Sequence, residues 1–443
     1  MIKYCKQKTR IRRAVFSKMN YILKNANVYE NGSFCKKDIA VFDGIISFDI
    51  DKYAEENGLV FDFSECIIVP GLADVHVHLR EPGFSYKETI KTGTLAAARG
   101  GYTTVFSMPN LNPVPDSVEN LKAQTDIIER DAVISVYPYA SITVGQLGEE
   151  LSDFDELSKK VKAFSDDGRG VQNELLMKKA MELAKQNDKI IAAHCEVNEL
   201  LKGGYIHDGE YAKKHNHRGI CSASEYEQII RDIGLAKKTG CKYHVCHIST
   251  KESVEAIRKA KSEGVDITCE TGPHYLVFCD DDLCEDARFK MNPPLRSSSD
   301  RHALIEGLVD GTIDMIATDH APHSEEEKSR GLEKSLMGVV GLETAFSVMY
   351  THFVKTGVIT LEKLIELMSI NPCTRFGVEN GIKEGEIANI AVIDVNRHFT
   401  VDSKSFLSKG KATPFEGIKL FAKPVMTIAN GKIAYTEEMR KDG

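Results

Sequence analysis

Histidine and aspartate recur along this chain at spacings that could place them around a metal. In Asp74-Val-His76-Val-His78 two imidazoles stand two residues apart. Side chains alternate along a strand, so His76 and His78 share a face while Val75 and Val77 take the other. Two imidazoles one pleat apart suit a borderline metal such as zinc. An HxH pair alone is weak evidence, because many strand histidines are simply hydrogen-bonded. Four more segments end in the same residue types: Asp166-Asp167-Gly168, His194-Cys195-Glu196, His247-Ile248-Ser249 and Asp319-His320. His76, His78, Asp167, His194, His247 and Asp319 together offer four imidazoles and two carboxylates. That set exceeds what one tetrahedral zinc uses and suits two metals bridged by a carboxylate and a hydroxide. Two Zn2+ with two aspartates and a hydroxide remain net positive, which favours an anionic substrate. Metal lowers the pKa of bound water to roughly 7, so hydroxide is available near neutral pH.

Neighbouring residues admit plainer readings. Asp166 competes with Asp167, and spacing does not separate adjacent residues at a strand end. His244 lies three positions before His247, so a continuous strand would turn it the other way, towards the helices. His274, in Gly-Pro-His-Tyr, either lines the mouth or packs. His207, His215 and His217 occupy a polar insertion and are expected in solvent. Cys195 and Cys246 adjoin ligand positions but read as packing residues, since a thiolate there would make the centre less positive.

The elements that must carry these residues alternate. Short β-rich runs (ADVHVHL, TTVFSM, VISVYPYA, KAFSDD, KIIAAHCE, KYHVCHIS, DITCETG, DMIATDH) are separated by amphipathic stretches at 86–99, 117–130, 171–187, 222–238, 251–263, 300–309 and 338–354. That rhythm predicts an α/β fold, a (β/α)8 barrel over 70–370 with the candidate residues at its strand exits. Residues 19–69 and 371–443 read instead as short strands and turns, giving a small β-sandwich built from both chain ends. Residues 1–18 carry seven Lys or Arg and no acid, lack a signal peptide's apolar core, and are expected to be a disordered tail or to precede a start at Met19.

Composition excludes other classes. With 443 residues, 42% apolar and 28% charged, the chain is neither disordered nor fibrous. A net charge of −8 argues against general nucleic-acid binding. No apolar run approaches the roughly 20 residues of a membrane span. Eleven cysteines without a CxxC pair suit reduced thiols in the cytoplasm.

The segments Asp74–Gly83 (DVHVHLREPG), Ser107-Met-Pro-Asn110, Lys290–Arg296 (KMNPPLR), Ala317–Ser324 (ATDHAPHS) and Gly338–Glu343 (GVVGLE) resemble the dihydroorotase family of the amidohydrolase superfamily. The resemblance runs from about Met19 into the C-terminal strands. It implies a zinc-dependent barrel, two ions per subunit, that interconverts N-carbamoyl-L-aspartate and L-dihydroorotate in pyrimidine synthesis. It also implies metal ligation by His76, His78, His194, His247 and Asp319, with Asp319 as general acid and base of a binuclear zinc–hydroxide mechanism. One branch of the family bridges its metals with a carbamylated lysine. Phe164-Ser-Asp-Asp-Gly168 is similar instead to the bacterial branch that uses an aspartate, and the bridging role falls to Asp167 with no dependence on bicarbonate.

Substrate contacts in similar enzymes fall on His78, Arg80, Asn110, Asn292, His323 and the backbone around Met337 and Gly338, where Met337 replaces a common Phe. Independently, Arg80 lies two residues beyond His78 and its planar fork suits a carboxylate. The two asparagine amides can donate and accept, though each, next to a proline, is also ordinary turn chemistry. The family pattern further suggests a homodimer and aspartate transcarbamoylase as a partner. The rival readings are another cyclic-amide hydrolase (dihydropyrimidinase, hydantoinase or allantoinase) and a non-catalytic scaffold beside the transcarbamoylase.

Overall fold

A computed structural model describes residues 20–50 and 58–437; the basic stretch 1–18 lies outside the described residues. Eight parallel strands form the centre: Leu72–Val77, Tyr102–Ser107, Ser135–Pro138, Ala163–Phe164, Ile190–Ala193, Lys242–Val245, Ile267–Thr271 and Met315–Ile316. Strands one to three pair in order, as do four to eight. Parallel bridges Ala140–Phe164 and Val77–His320 join the two groups, so the sheet closes into the expected barrel. Asp74 strengthens one seam by accepting from the Thr318 amide at 3.1 Å. Its interior holds Val75, Phe106, Tyr139, Ala192, Cys246, Met315 and Phe376, the packed filling typical of such barrels.

The crossover helices Ile90–Arg99, Val118–Asp131, Glu174–Gln186, Ala223–Thr239, Lys251–Ser262 and Ser298–Asp310 follow the predicted stretches. Side chains of Thr89, Ser117, Asn173, Thr250 and Ser297 cap their first turns, satisfying amides that have no intrahelical partner. The first helix begins at Ile90 rather than near 86, because Thr89 is its cap. The preceding loop therefore tucks Lys87 and Glu88 inward. In the predicted stretch 338–354 the helix begins at Ala345, not 338: Val339 is drawn into a parallel bridge with His320 instead.

Apart from a short parallel pair, Ile206–His207 with Gly219–Ile220, the remaining strands come from both chain ends. A six-stranded sheet runs in the order Lys432–Thr436, Lys419–Ala429, Ile390–Thr400, Cys66–Pro70, Asn27–Glu30, Ser33–Lys36. A four-stranded sheet contains Ile45–Ser47, Ile39–Phe42, Tyr21–Lys24 and Leu59–Asp62. Cys66–Pro70 pairs antiparallel with Ile390–Thr400, with Ile68 opposite Val392. Alternation then does two jobs. Ile68, Ile390, Val392 and Ile428 pack with Leu23, Val41 and Ile46 between the sheets, whereas Ile67, Val69, Ala391 and Ile393 face the barrel's outer core. Among the described residues no helix is long and apolar enough to cross a membrane.

Candidate active site

The six metal-ligand candidates meet at the C-terminal mouth of the barrel, all buried. His76 Nε2 lies 3.3 Å from Asp167 Oδ1 and 3.6 Å from Asp319 Oδ1. His78 Nε2 lies 3.5 Å from Asp167 Oδ2 and 3.1 Å from Asp319 Oδ1. On the other side of Asp167, Oδ1 is 3.5 Å from His247 Nε2 and 3.8 Å from His194 Nδ1, and those two ring nitrogens are 3.0 Å apart. Asp167 thus belongs to two donor groups, one with His76 and His78 and one with His194 and His247.

These spacings fit metal ions. Donors at zinc distances of about 2.0–2.1 Å in a tetrahedron stand about 3.3 Å from one another, close to the separations among His76, His78, Asp167 and Asp319. His76 Nε2 and Asp167 Oδ1 are buried without a hydrogen-bond partner. Such atoms are costly unless something else satisfies them. The group around His194 and His247 has fewer protein donors, the form of a site that keeps an open position.

Several residues aim the candidate ligands. Glu270, on the seventh strand, was not foreseen. It accepts from His76 Nδ1 at 2.8 Å, His244 Nε2 at 3.1 Å and the His247 amide at 3.3 Å. With Nδ1 so engaged, His76 keeps Nε2 for the centre. The only trace in the sequence was an acidic residue within a short strand, Ile267–Thr271.

His244 contradicts the expectation that it faces the helices: it points into the barrel and holds Glu270 and Thr268 Oγ1. Strand parity fails because the strand ends at Val245 and His247 takes φ +32°. His244 and Cys246 thereby share the inner face, and His247 is swung onto it as well. Burial pushes the Cys246 thiol up to about 12, so it stays a neutral packing residue.

The ambiguity at 166/167 also resolves. Asp166 accepts from the Ile142 amide at 2.8 Å, the Thr143 amide at 3.1 Å and the Thr143 hydroxyl, pinning a neighbouring loop. Asp167 alone faces the histidines. Asn110 is wedged between ligands: its Oδ1 accepts from His78 Nδ1 at 2.7 Å and its Nδ2 donates to Asp167 Oδ2 at 3.0 Å. Both ends of an amide expected to meet substrate are therefore engaged with the cluster.

Electrostatics follow from this crowding. Burial opposes charge on the Asp319 carboxyl, but the bond to His78 and the adjacent His76 outweigh it and hold the group well below the carboxylate range. Asp167 is likewise depressed despite burial, through His76 and His247. Both remain ionised across neutral pH.

Around this cluster lies the rim. Arg80 donates through Nε to the Pro322 carbonyl at 3.2 Å, and among the described residues no carboxylate lies within ion-pair distance of it. His323 Nε2 is 2.7 Å from the Met337 carbonyl. Asn292 donates to Glu196 Oε1 at 2.8 Å, and Glu196 Oε2 lies 3.6 Å from His194 Nε2. Gly338 has φ +134°, and a Cβ there would stand 2.6 Å from the Ala321 carbonyl oxygen. Arg80 (φ +60°) and Asp319 (φ +46°) join His247 in the left-handed region, which non-glycine residues rarely adopt. Such conformations gather at functional sites, where surrounding structure enforces them.

His274 is buried beside Asp319 and His247, and burial lowers it to about 4. His215 is exposed as expected. His207 and His217 correct the solvent expectation: His207 is buried 3.4 Å from Arg296, and His217 bonds Tyr205 Oη at 2.6 Å and Glu285 at 2.8 Å.

Comparison with known proteins agrees with this geometry. The Dihydro-orotase-like family profile matches residues 65–253. A dihydroorotase of Fusobacterium nucleatum is 51% identical over 94% of this chain and 99% of its own length. One from Bacillus cereus is 50% identical over 95% and 99%. Among solved structures, the L-hydantoinase (dihydropyrimidinase) of Arthrobacter aurescens superposes with a TM-score of 0.83 at 26% identity, covering 95% of this chain and 96% of that one. A D-hydantoinase at 22% identity and a TM-score of 0.82 shares the fold. With half its residues identical to curated relatives over nearly their full length, and with donor groups that could hold metal at the mouth of its barrel, the chain belongs to the dihydroorotase family.

Proposed function

We propose that this chain interconverts N-carbamoyl-L-aspartate and L-dihydroorotate, with two zinc ions held by His76, His78, Asp167, His194, His247 and Asp319. The observation that carries the substrate choice is Arg80, a cation at the mouth with no carboxylate partner among the described residues. Its planar fork matches the carboxylate that dihydroorotate bears on its ring. Hydantoins and dihydropyrimidines need not carry one, which sets the chain apart from the structural neighbours of the same fold.

When bound, the metal ions polarise the carbonyl under attack and make water acidic enough to react near neutral pH. The residues do the rest. Asp319, ionised and touching His76 and His78, accepts the proton of the attacking water and returns it to the departing ring nitrogen. In the synthetic direction the same carboxylate removes the ureido proton. Arg80 and His323 hold the substrate carboxylate, with Asn292 and the backbone at Met337 and Gly338 completing the pocket. Asn110 and Glu270 keep the ligand rings aimed.

The ten cysteines among the described residues are free thiols, which supports a cytoplasmic setting. A homodimer, with aspartate transcarbamoylase as a partner, completes the proposal, and sedimentation velocity with and without the transcarbamoylase tests both. The decisive experiment is metal analysis together with a carbamoyl-aspartate cyclisation assay before and after chelation, run beside hydantoin, dihydrouracil and allantoin. Cyclisation lost with the metal and regained with zinc supports the reading. Turnover of a neutral cyclic ureide without dihydroorotate turnover refutes it.

A further inference from the structure

We propose that Lys87 fixes the tautomer of His323 and so makes that ring a hydrogen-bond donor to the substrate carboxylate. The inference rests on the reading of His323 as a substrate contact. Lys87 is buried in the loop before the first helix, its Nζ 3.2 Å from His323 Nδ1 and 3.0 Å from Glu327 Oε1. An ammonium carries three donors and no acceptor. The nitrogen it meets on His323 must therefore offer a lone pair. Nε2, 2.7 Å from the Met337 carbonyl oxygen, faces an atom that only accepts. Two partners on opposite sides of the ring thus require the same neutral form, with Nδ1 bare and Nε2 protonated.

The surrounding charges agree. Arg80, Lys87 and Lys328 surround the ring with cations. Among the described residues Glu327 is the one acid in ion-pair range of the ring, Oε2 being 3.6 Å from Nδ1, but that oxygen already accepts from the Ser324 amide at 3.0 Å. The consequence lies at Arg80. Its guanidinium nitrogen is 3.5 Å from His323 Nε2, and since both carry hydrogens they cannot bond each other. The single Nε2 hydrogen rests on the Met337 carbonyl in this structure; a substrate carboxylate beside Arg80, a stronger acceptor than a neutral carbonyl, takes it over on binding. Gly338 keeps the arrangement compact: a Cβ there would come within 3.1 Å of the His323 ring. Lys87 acts through His323 and is a positioning residue.

The test is 15N NMR of the zinc-loaded full chain labelled in its histidines, with the His323 signals assigned by their loss in His323→Asn. The expected wild-type spectrum shows His323 with an unprotonated Nδ1 and a protonated Nε2; a protonated Nδ1 overturns the proposal without any variant at Lys87. In Lys87→Met the expected ring is a mixture of tautomers. Substrate then draws on the competent fraction of that mixture, so KM for carbamoyl aspartate rises by its reciprocal, about two- to tenfold, with kcat changed less. Lys87→Arg, which keeps a donor, should retain the wild-type tautomer and most of the affinity. An unchanged tautomer and KM in Lys87→Met, or a lost tautomer in a folded Lys87→Arg, overturns the role of Lys87. An unchanged KM in His323→Asn instead overturns the substrate-contact reading beneath it.

Discussion

Replacing Glu270 by glutamine probes whether the metal histidines depend on a buried carboxylate. Glu270 accepts three hydrogen bonds, two from imidazoles and one from the His247 amide. Glutamine preserves the shape but offers one carbonyl oxygen. If that oxygen serves His76 and His247, the new amide group faces His244, which can change tautomer because its other nitrogen meets a Thr268 hydroxyl able to donate or accept. The fold should survive, while His76 loses the negative charge that made it a stronger ligand. Loss of such an outer partner costs about 10–100-fold in metal affinity.

Alanine is harsher. It leaves three buried donors unpaired at about 1–3 kcal/mol each, a large share of the roughly 5–15 kcal/mol that holds a domain folded. The assay is zinc content after equilibration against a graded chelator series, with thermal melts of the metal-free proteins alongside. The metal-free wild type supplies a second reading. Burial opposes ionisation of Glu270, yet His76 and His244 hold its carboxyl down to about 2 from an ordinary 4.5. A depressed folded value means stability that is complete above pH 4.5 and lost as pH falls towards 2. That acid-sensitive component should shrink in Glu270→Gln. Wild-type zinc affinity in the glutamine variant would refute the argument that this carboxylate aims His76.

Other outcomes follow from the same geometry. Asp319→Ala should abolish turnover while most metal remains bound, measured by steady-state assay and elemental analysis; near-normal activity would remove Asp319 from proton transfer. Asp167→Ala should lose metal, whereas Asp166→Ala should chiefly lower the melting temperature, because its hydrogen bonds go to the 142–143 backbone. Activity should be indifferent to bicarbonate, since an aspartate and not a carbamylated lysine stands between the two donor groups; stimulation of bicarbonate-depleted enzyme would contradict this. Ring closure converts a dianion to a monoanion and takes up one proton. The equilibrium ratio of dihydroorotate to carbamoyl aspartate should therefore fall about tenfold per pH unit near neutrality, and a ratio insensitive to pH would contradict the substrate pair.

Legible along the chain were the barrel, the strands near both chain ends and the six candidate ligands at strand exits. Those features rest on local regularities: alternation within short strands, periodic helices between them, and chemistry-bearing residues placed at strand exits. A strand exit is legible because it is defined along the chain. The remainder depends on contacts between distant segments or on local departures from ideal geometry. Glu270 acquires its role from His76, 194 residues away. His244 turns inward with His247 because the backbone leaves the strand before His247, which no parity rule anticipates. Asp166 and Asp167 are chemically identical neighbours, separated only when one meets the 142–143 amides and the other meets four imidazoles. Lys87 was invisible for the same reason: its partner His323 lies 236 residues away and comes within reach only when the barrel closes. Periodicity records which face a residue takes, whereas the partner across that face is set by closure of the whole sheet.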